Sequence, residues 1–525
     1  MSETSGQTLI QALQNPALYD HPVQDFRVIE THISHVLLTG DYAYKIKKPV
    51  DFGFLDFSSL ARRKHFCEEE LRLNRRLADN LYLDVVAITG TPEQPVLGGD
   101  GEAIEYAIKM RQFRQEDLLD RRQEQGTLAP ELLINLARQT ATFHEQQPPV
   151  PEDSPLGTPD AVFAPMQDNF DQIRPLLSDP ALLAQLDALE DWTRTTFERH
   201  RERIARRRAE GFVRECHGDL HLANMTLFEG QVTVFDCIEF NEPFRWIDVI
   251  NDLAFLLMDL EARREPGLAN LVLNHYLEYR GDFEALPLLP LYKAYRALVR
   301  AKIALFTLAN PGLTDGEKAE LMQRYRDYAQ LAEDYSAIPN RYLLATTGLS
   351  ASGKSCVSAA MAQELGLIRL RSDVERKRLH GLGPLDASRS GTGTGIYTPE
   401  ATAKTYQRLA TLAGQLLAAG LPVIVDAACL RRQERALLAS VAEEHGVPFA
   451  LLHCEAPEAL RRAWIRKRQG DASEATEALL DAQQGWFEPL DAEEKAHTLH
   501  LKTDESHVAE AVADRIRQHF GLRHG

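Results

Sequence analysis

Residues 215–240 read ECHGDLHLANMTLFEGQVTVFDCIEF, with Asp219 two positions after His217, Asn224 five after the aspartate, and Asp236 at the end of the apolar run VTVF. A loop that passes a phosphoryl group to a hydroxyl needs one carboxylate against that hydroxyl and an amide oxygen on a divalent cation. It also needs a second carboxylate, brought from a neighbouring strand, on the same cation. Asp219, Asn224 and Asp236 fit those three roles in that order. Each alone would read as a turn residue; the joint spacing ahead of an apolar strand argues for a catalytic loop.

Such a loop needs a cation for the phosphates, and the chain upstream supplies candidates. VLLTGDYAYKIKK (36–48) reads as two strands around a Gly40-Asp41 turn, because Val36, Leu38, Ala43 and Lys45 fall at period two. Lys45 lies on the second strand and can pair with phosphates; Lys47 shares its face and is a rival. The carboxylate holding that lysine should come from the helix that follows, LARRKHFCEEELRLNRRL (60–77), where Glu70 is the first choice among three. EYAIKMRQF, with Met110 at its centre, reads as the hinge to the next lobe. Beyond residue 115 apolar residues recur at three and four, so the remainder up to about Tyr335 is mostly helical. Pro339 in SAIPN then marks a domain joint near residue 338.

Past that joint, strand-like runs at 342–346, 367–370, 422–425 and 449–453 alternate with helical stretches, the pattern of a parallel α/β sheet. Gly348-Leu349-Ser350-Ala351-Ser352-Gly353-Lys354-Ser355 matches G-x-x-x-x-G-K-[ST] between the first strand and the first helix. Gly348, Ser350, Ser352 and Gly353 belong to a loop whose backbone N–H groups approach phosphate oxygens. Lys354 bridges β- and γ-phosphates, and Ser355 ligates Mg²⁺. Asp373 follows the next strand and can orient or deprotonate an acceptor hydroxyl; Asp426 closes PVIVD and can hold the Mg²⁺ water shell. A carboxylate at either position can equally cap a helix. RRAWIRKR (461–468) is a basic helix, either a lid over the phosphates or a solvated face.

Residues 25–335 resemble the aminoglycoside phosphotransferase family of kinase-like enzymes, which uses H-x-D-x-x-x-x-N as His217 to Asn224 have it. The resemblance implies an ATP site between two lobes, a small-molecule hydroxyl acceptor, and Asp219 as base. Asp248 and Asp252 in RWIDVINDLAFLL match an acidic helix that backs the catalytic loop in this family. One departure is that no G-x-G-x-x-G lies between Phe26 and Lys45, where Gly40 stands alone. Residues 341–525 resemble the small P-loop kinases related to polynucleotide kinases and zeta-toxin-type sugar-nucleotide kinases. That implies phosphoryl transfer to a hydroxyl, with Asp373 as the acceptor-side acid and an arginine among Arg462, Arg466 and Arg468 as the lid residue.

The expected architecture is therefore a bilobal kinase-like domain of mixed α+β structure, residues 1–337, with an N-lobe at about 25–113 and a helical C-lobe at about 114–337. A P-loop α/β domain with helices on both faces of its sheet follows at 338–525. The expected activity is tandem ATP- and Mg²⁺-dependent transfer to small-molecule hydroxyls: a sugar or amine-bearing alcohol in the first domain, a sugar, nucleoside or nucleotide-like acceptor in the second. Two alternatives stand beside it: a nucleotide-sensing partner domain regulating one active kinase, and a 5′-hydroxyl nucleic-acid end kinase in the second domain.

Composition agrees. The 525 residues are 44% hydrophobic and 26% charged, a globular make-up. Residues 1–340 carry 36 Lys+Arg and 54 Asp+Glu, so the whole net charge of −18 lies there, and 341–525 are neutral. Polyanions such as nucleic acid are poor partners for the first part and stay open for the second; a cationic acceptor would be drawn to the first. The longest apolar stretch, Val249 to Leu260, is broken by Asn251, Asp252 and Asp259, so no membrane span is expected. The N-terminus lacks a signal pattern and the six cysteines lack C-x-x-C spacing, which together point to the cytoplasm and to no cysteine-bound metal.

Overall fold

The alternation of YAYKIK over residues 42–47 is what gives the first sheet two covered faces. In the computed structural model, which describes residues 3–53, 55–310, 312–391, 393–467, 470–504 and 509–522, this segment is β3 (Tyr42–Lys47). It joins β1 (Arg27–Glu30), β2 (Ser34–Leu38), β4 (Tyr82–Gly90), β5 (Pro95–Leu97) and β6 (Glu105–Arg111) in an antiparallel sheet of order β1-β2-β3-β6-β4-β5. Tyr44 and Ile46 face one way into a core with Leu9 and Ile10 of an N-terminal helix (Glu3–Ala12), which the sequence pattern did not predict, and with Leu13 just after it. Ala43 faces the other way, against Cys67 of the helix Leu60–Ala78. The Gly40-Asp41 hairpin forms as expected, closed by Thr39 N–H on the Tyr42 carbonyl at 2.9 Å.

The helix Leu60–Ala78 starts at Ser59, whose hydroxyl accepts from the Arg62 N–H at 3.2 Å. Its buried side chains Arg63, Cys67, Glu70 and Asn74 recur at helical spacing and form one face on the sheet. Farther along, β7 (Val213–Glu215) pairs with β10 (Trp246–Asp248), and β8 (Met225–Phe228) with β9 (Gln231–Val234). The β8–β9 turn is Glu229-Gly230, both at positive φ (51° and 78°), the geometry a two-residue hairpin needs. Helices dominate the rest of this stretch, among them Pro130–Gln146, Pro180–Ala209, Val249–Ala262 and Leu289–Leu308.

The second sheet is all parallel, in the order β12 (Ile368–Arg371), β13 (Val423–Asp426), β11 (Leu343–Thr347), β14 (Phe449–Glu455), β15 (Thr498–Lys502). Leu343 to Thr347 are buried throughout, the mark of a strand covered on both faces. Two units emerge: Met1–Asn135, Thr142–Asp259 and Tyr295–Ala329 form the first; Leu136–Ala141, Leu260–Ala294 and Gln330–Gly525 form the second. The helix Pro266–Arg280 thus clusters with the parallel sheet, although sequence reading assigns it to the helical lobe of the kinase-like part. Among the described residues no helix is long and apolar enough to cross a membrane.

Candidate active sites

β3 carries Lys45 and Lys47 on one face, and both reach Glu70 on the helix beneath. Lys45 Nζ lies 2.7 Å from Glu70 Oε1 and 2.6 Å from Asp236 Oδ1; Lys47 Nζ lies 2.6 Å from Glu70 Oε2 and also donates to Glu239. The two lysines differ in depth. Lys47 is 2% exposed and stacked over the Phe57 ring, while Lys45 reaches Asp236, whose side chain is 43% exposed. Burial pulls the Lys45 ammonium down, but Asp236 and Glu70 outweigh it and keep its pKa well above the ordinary lysine value. Burial also pushes Glu70 up, and the two lysines more than reverse that, so Glu70 stays ionised.

The loop itself is built around Asp252. Its carboxylate accepts from the N–H of Gly218 at 2.8 Å, the N–H of His217 at 3.2 Å and His144 Nε2 at 2.9 Å. Gly218 sits at φ +87°, and a Cβ there would lie 2.8 Å from the Phe244 carbonyl oxygen, so only glycine fits the turn into Asp219. His217 Nε2 lies 2.9 Å from the Phe235 carbonyl, linking the loop to the residue before Asp236. Asn224 Nδ2 donates to Asp219 Oδ2 at 2.9 Å, so that bond does not use Asn224 Oδ1. Burial tends to raise the Asp219 carboxyl, but His221, 3.2 Å away, and Arg300 hold it far below the usual carboxylate range. Asp248 pairs instead with buried Arg207 at 2.7 Å. Met110 lies inside β6 opposite Ala43, 7% exposed, so it is a strand residue and the crossing to the helices begins after Arg111.

In the second unit the loop Gly348–Ser355 leaves β11 and enters the helix Lys354–Leu365. Gly348 has φ +141°, and a Cβ there would meet the Cys454 carbonyl oxygen at 2.4 Å. Lys354 Nζ donates to the Leu349 carbonyl at 2.6 Å, and burial lowers its pKa. Ser352 Oγ is buried without a hydrogen-bond partner among the described residues. Ser355 Oγ is 3.3 Å from Asp426 Oδ1, while Asp426 Oδ2 takes a hydrogen bond from Arg369 at 2.7 Å. Burial alone would raise the Asp426 carboxyl; Arg369, Arg371 and Lys354 bring it below its ordinary value. A cavity of about 1010 Å³ opens at this loop, lined by Lys354, Ser355, Asp373, Asp426, Arg376 and Lys467 among others. An orphaned hydroxyl, a buried ammonium whose bond is to a carbonyl, and a glycine-only cradle suit a polyphosphate. The oxygen donors of Ser355 and Asp426, like those of Asn224 and Asp236, suit Mg²⁺.

Two family models match this chain: the phosphotransferase enzyme family over residues 53–289 and an AAA domain over residues 343–490. The chain carries an aminoglycoside-phosphotransferase-like domain fused to a P-loop ATPase-type domain. An uncharacterized protein of Mycobacterium tuberculosis is 28% identical over 467 residues, covering 88% of this chain and 91% of its own length. A choline/ethanolamine kinase family protein from Mesorhizobium loti aligns with 63% of this chain and 99% of its own, at 12% identity and a TM-score of 0.37. A sugar kinase from Janibacter sp. HTCC2649 aligns with 35% of this chain and 96% of its own, at 22% identity and a TM-score of 0.28.

In the phosphotransferase-like domain Lys45 meets Glu70 and Asp236, Asn224 meets Asp219, and Asp252 holds the loop as expected; Glu239 and Arg300 are added to them. Glu239 was discoverable in principle, since it follows Asp236 by three residues, but an isolated acid in IEF gives no sign of the lysine it meets. In the P-loop domain the lid expectation changes. Arg466 is exposed and pairs with Glu477 at 2.6 Å, Arg462 pairs with Glu458 at 2.7 Å, neither lines the cavity, and Arg468 lies outside the described residues. Lys467 and Trp464 of the same helix line it instead. Arg369 and Arg371, unassigned in the sequence reading, are the cations at Asp426. Both are held from behind by Glu278 of the helix Pro266–Arg280, each at 3.3 Å. Asn274 of that helix bridges the Leu367 carbonyl and the Arg369 N–H, at 3.0 and 2.8 Å.

Proposed function

We propose that residues 1–337 and 338–525 are two ATP-dependent phosphotransferases in tandem, each moving the γ-phosphoryl group of ATP to the hydroxyl of a small molecule. The observation that carries this reading is the convergence of Lys45, Glu70 and Asp236 within hydrogen-bond distance, together with an Asp219 kept anionic and tied to Asn224. In the first site Asp219 accepts the proton of the acceptor hydroxyl as its oxygen bonds to the γ-phosphorus and the bond to the ADP oxygen breaks. Lys45 neutralises the phosphates, with Glu70 fixing its direction. Asn224 and Asp236 are the residues to hold Mg²⁺, as Ser355 and Asp426 are in the second site; the ion spreads phosphate charge when bound. In the second site Lys354 and the loop N–H groups hold the β- and γ-phosphates, and Asp373, at the cavity wall, orients the acceptor.

The first domain takes a sugar or an amine-bearing alcohol, drawn by its acidic surface; the second takes a sugar, nucleoside or nucleotide-like alcohol. The test is ATP turnover by the full-length protein and by its Asp219→Asn and Lys354→Ala variants across a panel of sugars, amino alcohols, nucleosides and 5′-hydroxyl oligonucleotides. Two acceptor classes, one lost with each variant, are expected. Unchanged turnover of every acceptor in both variants refutes the reading.

A further inference from the structure

The parallel register of β14 and β15 sets His453 directly beside His500. Paired positions on neighbouring strands send their side chains to the same face, and Glu455, two residues beyond His453, shares that face. One donor atom from each of the three lies within 4.8 Å of the others. His453 Nε2 is 2.9 Å from Glu455 Oε1, and its ring stands edge-on to the His500 ring at 5.2 Å between centroids. The ring is fixed on its other side by Phe487, 5.9 Å away. His453 is 7% exposed, and its Nδ1 is buried with no hydrogen-bond partner among the described residues.

We propose that His453, Glu455 and His500 form a binding site for a borderline divalent transition-metal ion, with Zn²⁺ the type case. Two imidazole nitrogens and one carboxylate are the donor set such ions choose over Mg²⁺ or Ca²⁺, which prefer oxygen alone. Three protein ligands leave further positions to water. Ligand bonds of about 2.0–2.2 Å require the donors to draw in slightly, and the two that must move, Glu455 and His500, are exposed. Lys502 stands opposite Glu455 in the register, and Arg435 is paired with Glu494 at 2.7 Å.

The ion would tie the edge strand β15 to β14 next to the phosphate loop, because Thr503 donates through its N–H to the Glu455 carbonyl and through Oγ1 to the Ser352 carbonyl, both at 2.9 Å. This site is separate from both proposed reaction centres, and its test does not depend on them. The full-length protein, stripped with chelator, is titrated with Zn²⁺ by equilibrium dialysis, and with Co²⁺ by visible absorption. The expected result is a binding event in the wild type that is weakened at least about tenfold in both His500→Ala and Glu455→Gln and unchanged in His519→Ala. The two test variants alter exposed side chains, and their folding is checked by thermal melting without metal. Absence of Zn²⁺ binding in the wild type, or undiminished binding in His500→Ala, overturns the proposal.

Discussion

Lys45 and Asp236 are 191 residues apart in the chain and meet at 2.6 Å. Asp236 holds a left-handed backbone, φ +62°, which a non-glycine residue adopts only where its surroundings impose it. The Cys237 N–H donates to Asn74 Oδ1 at 2.9 Å, so the helix that carries Glu70 also fixes the backbone beside Asp236. One helix thus positions both carboxylates around the same ammonium.

That arrangement separates the two lysines by experiment. Lys47→Met leaves Glu70 short of one partner and Glu239 buried without its cation, a loss of about 3–5 kcal/mol in urea unfolding. Lys45→Met, nearer the surface of the site, should cost less stability and more ATP affinity. If Lys47→Met is as stable as wild type while Lys45→Met unfolds, the assignment of depth is reversed.

Asp252 should report on pH. Burial raises its carboxyl, but His144, His217 and the Gly218 N–H lower it below the ordinary value. A group with a depressed folded pKa contributes stability above its unfolded pKa, about 4, and loses that contribution as pH falls through the folded value. Asp252→Asn is therefore expected to be about 3 kcal/mol less stable than wild type at pH 7, with the gap narrowing by pH 3 to 4 in urea melts.

Since Asp219 is held anionic, the rate of the first reaction should show no acid limb between about pH 5 and 8, where an ordinary or raised carboxyl base would give one. A kcat/KM profile for the first acceptor class, falling with an apparent pKa near 6, would contradict this.

Lys354→Ala is expected to weaken ATP binding at the P-loop by a hundredfold or so, read by calorimetry with Asp219→Asn as the reference protein. Glu278→Gln acts at a distance from the phosphates. With the carboxylate neutralised, Arg369 and Arg371 lean harder on Asp426, so turnover by the P-loop domain should drop roughly tenfold while the first reaction is unaffected. Retention of full P-loop activity would remove Glu278 from the positioning of that acid.

Much of this was legible in the chain because the motifs are local. Strand period, helix period and the spacing from His217 to Asp236 are read within tens of residues, and they located Asp219, Asn224, the phosphate loop and four of the five parallel strands. The partners that tune those groups come from far along the chain. Arg369 with Glu278, and Lys47 with Glu239, are single charged residues in unremarkable surroundings, and only folding shows which of many opposite charges each meets. The strand Thr498–Lys502 escaped notice because TLHLK, mostly partly exposed at a sheet edge, lacks the continuous apolar run of the other four. Arg466 is ambiguous in the chain for another reason: a basic helix beside a phosphate site is also a natural partner for carboxylates such as Glu477.

The helix Pro266–Arg280 has a consequence for how this gene can be divided. Asn270, Asn274 and Glu278 bind the Gln363 and Leu367 carbonyls and the guanidinium groups of Arg369 and Arg371, yet they are encoded some sixty residues or more before the apparent joint at 338. A P-loop module transplanted from residue 338 onward would leave its own buttress behind. Any natural shuffling or engineered swap that keeps this buttress must carry the helix Pro266–Arg280 with it, and that helix lies within the stretch of chain that encodes its neighbour.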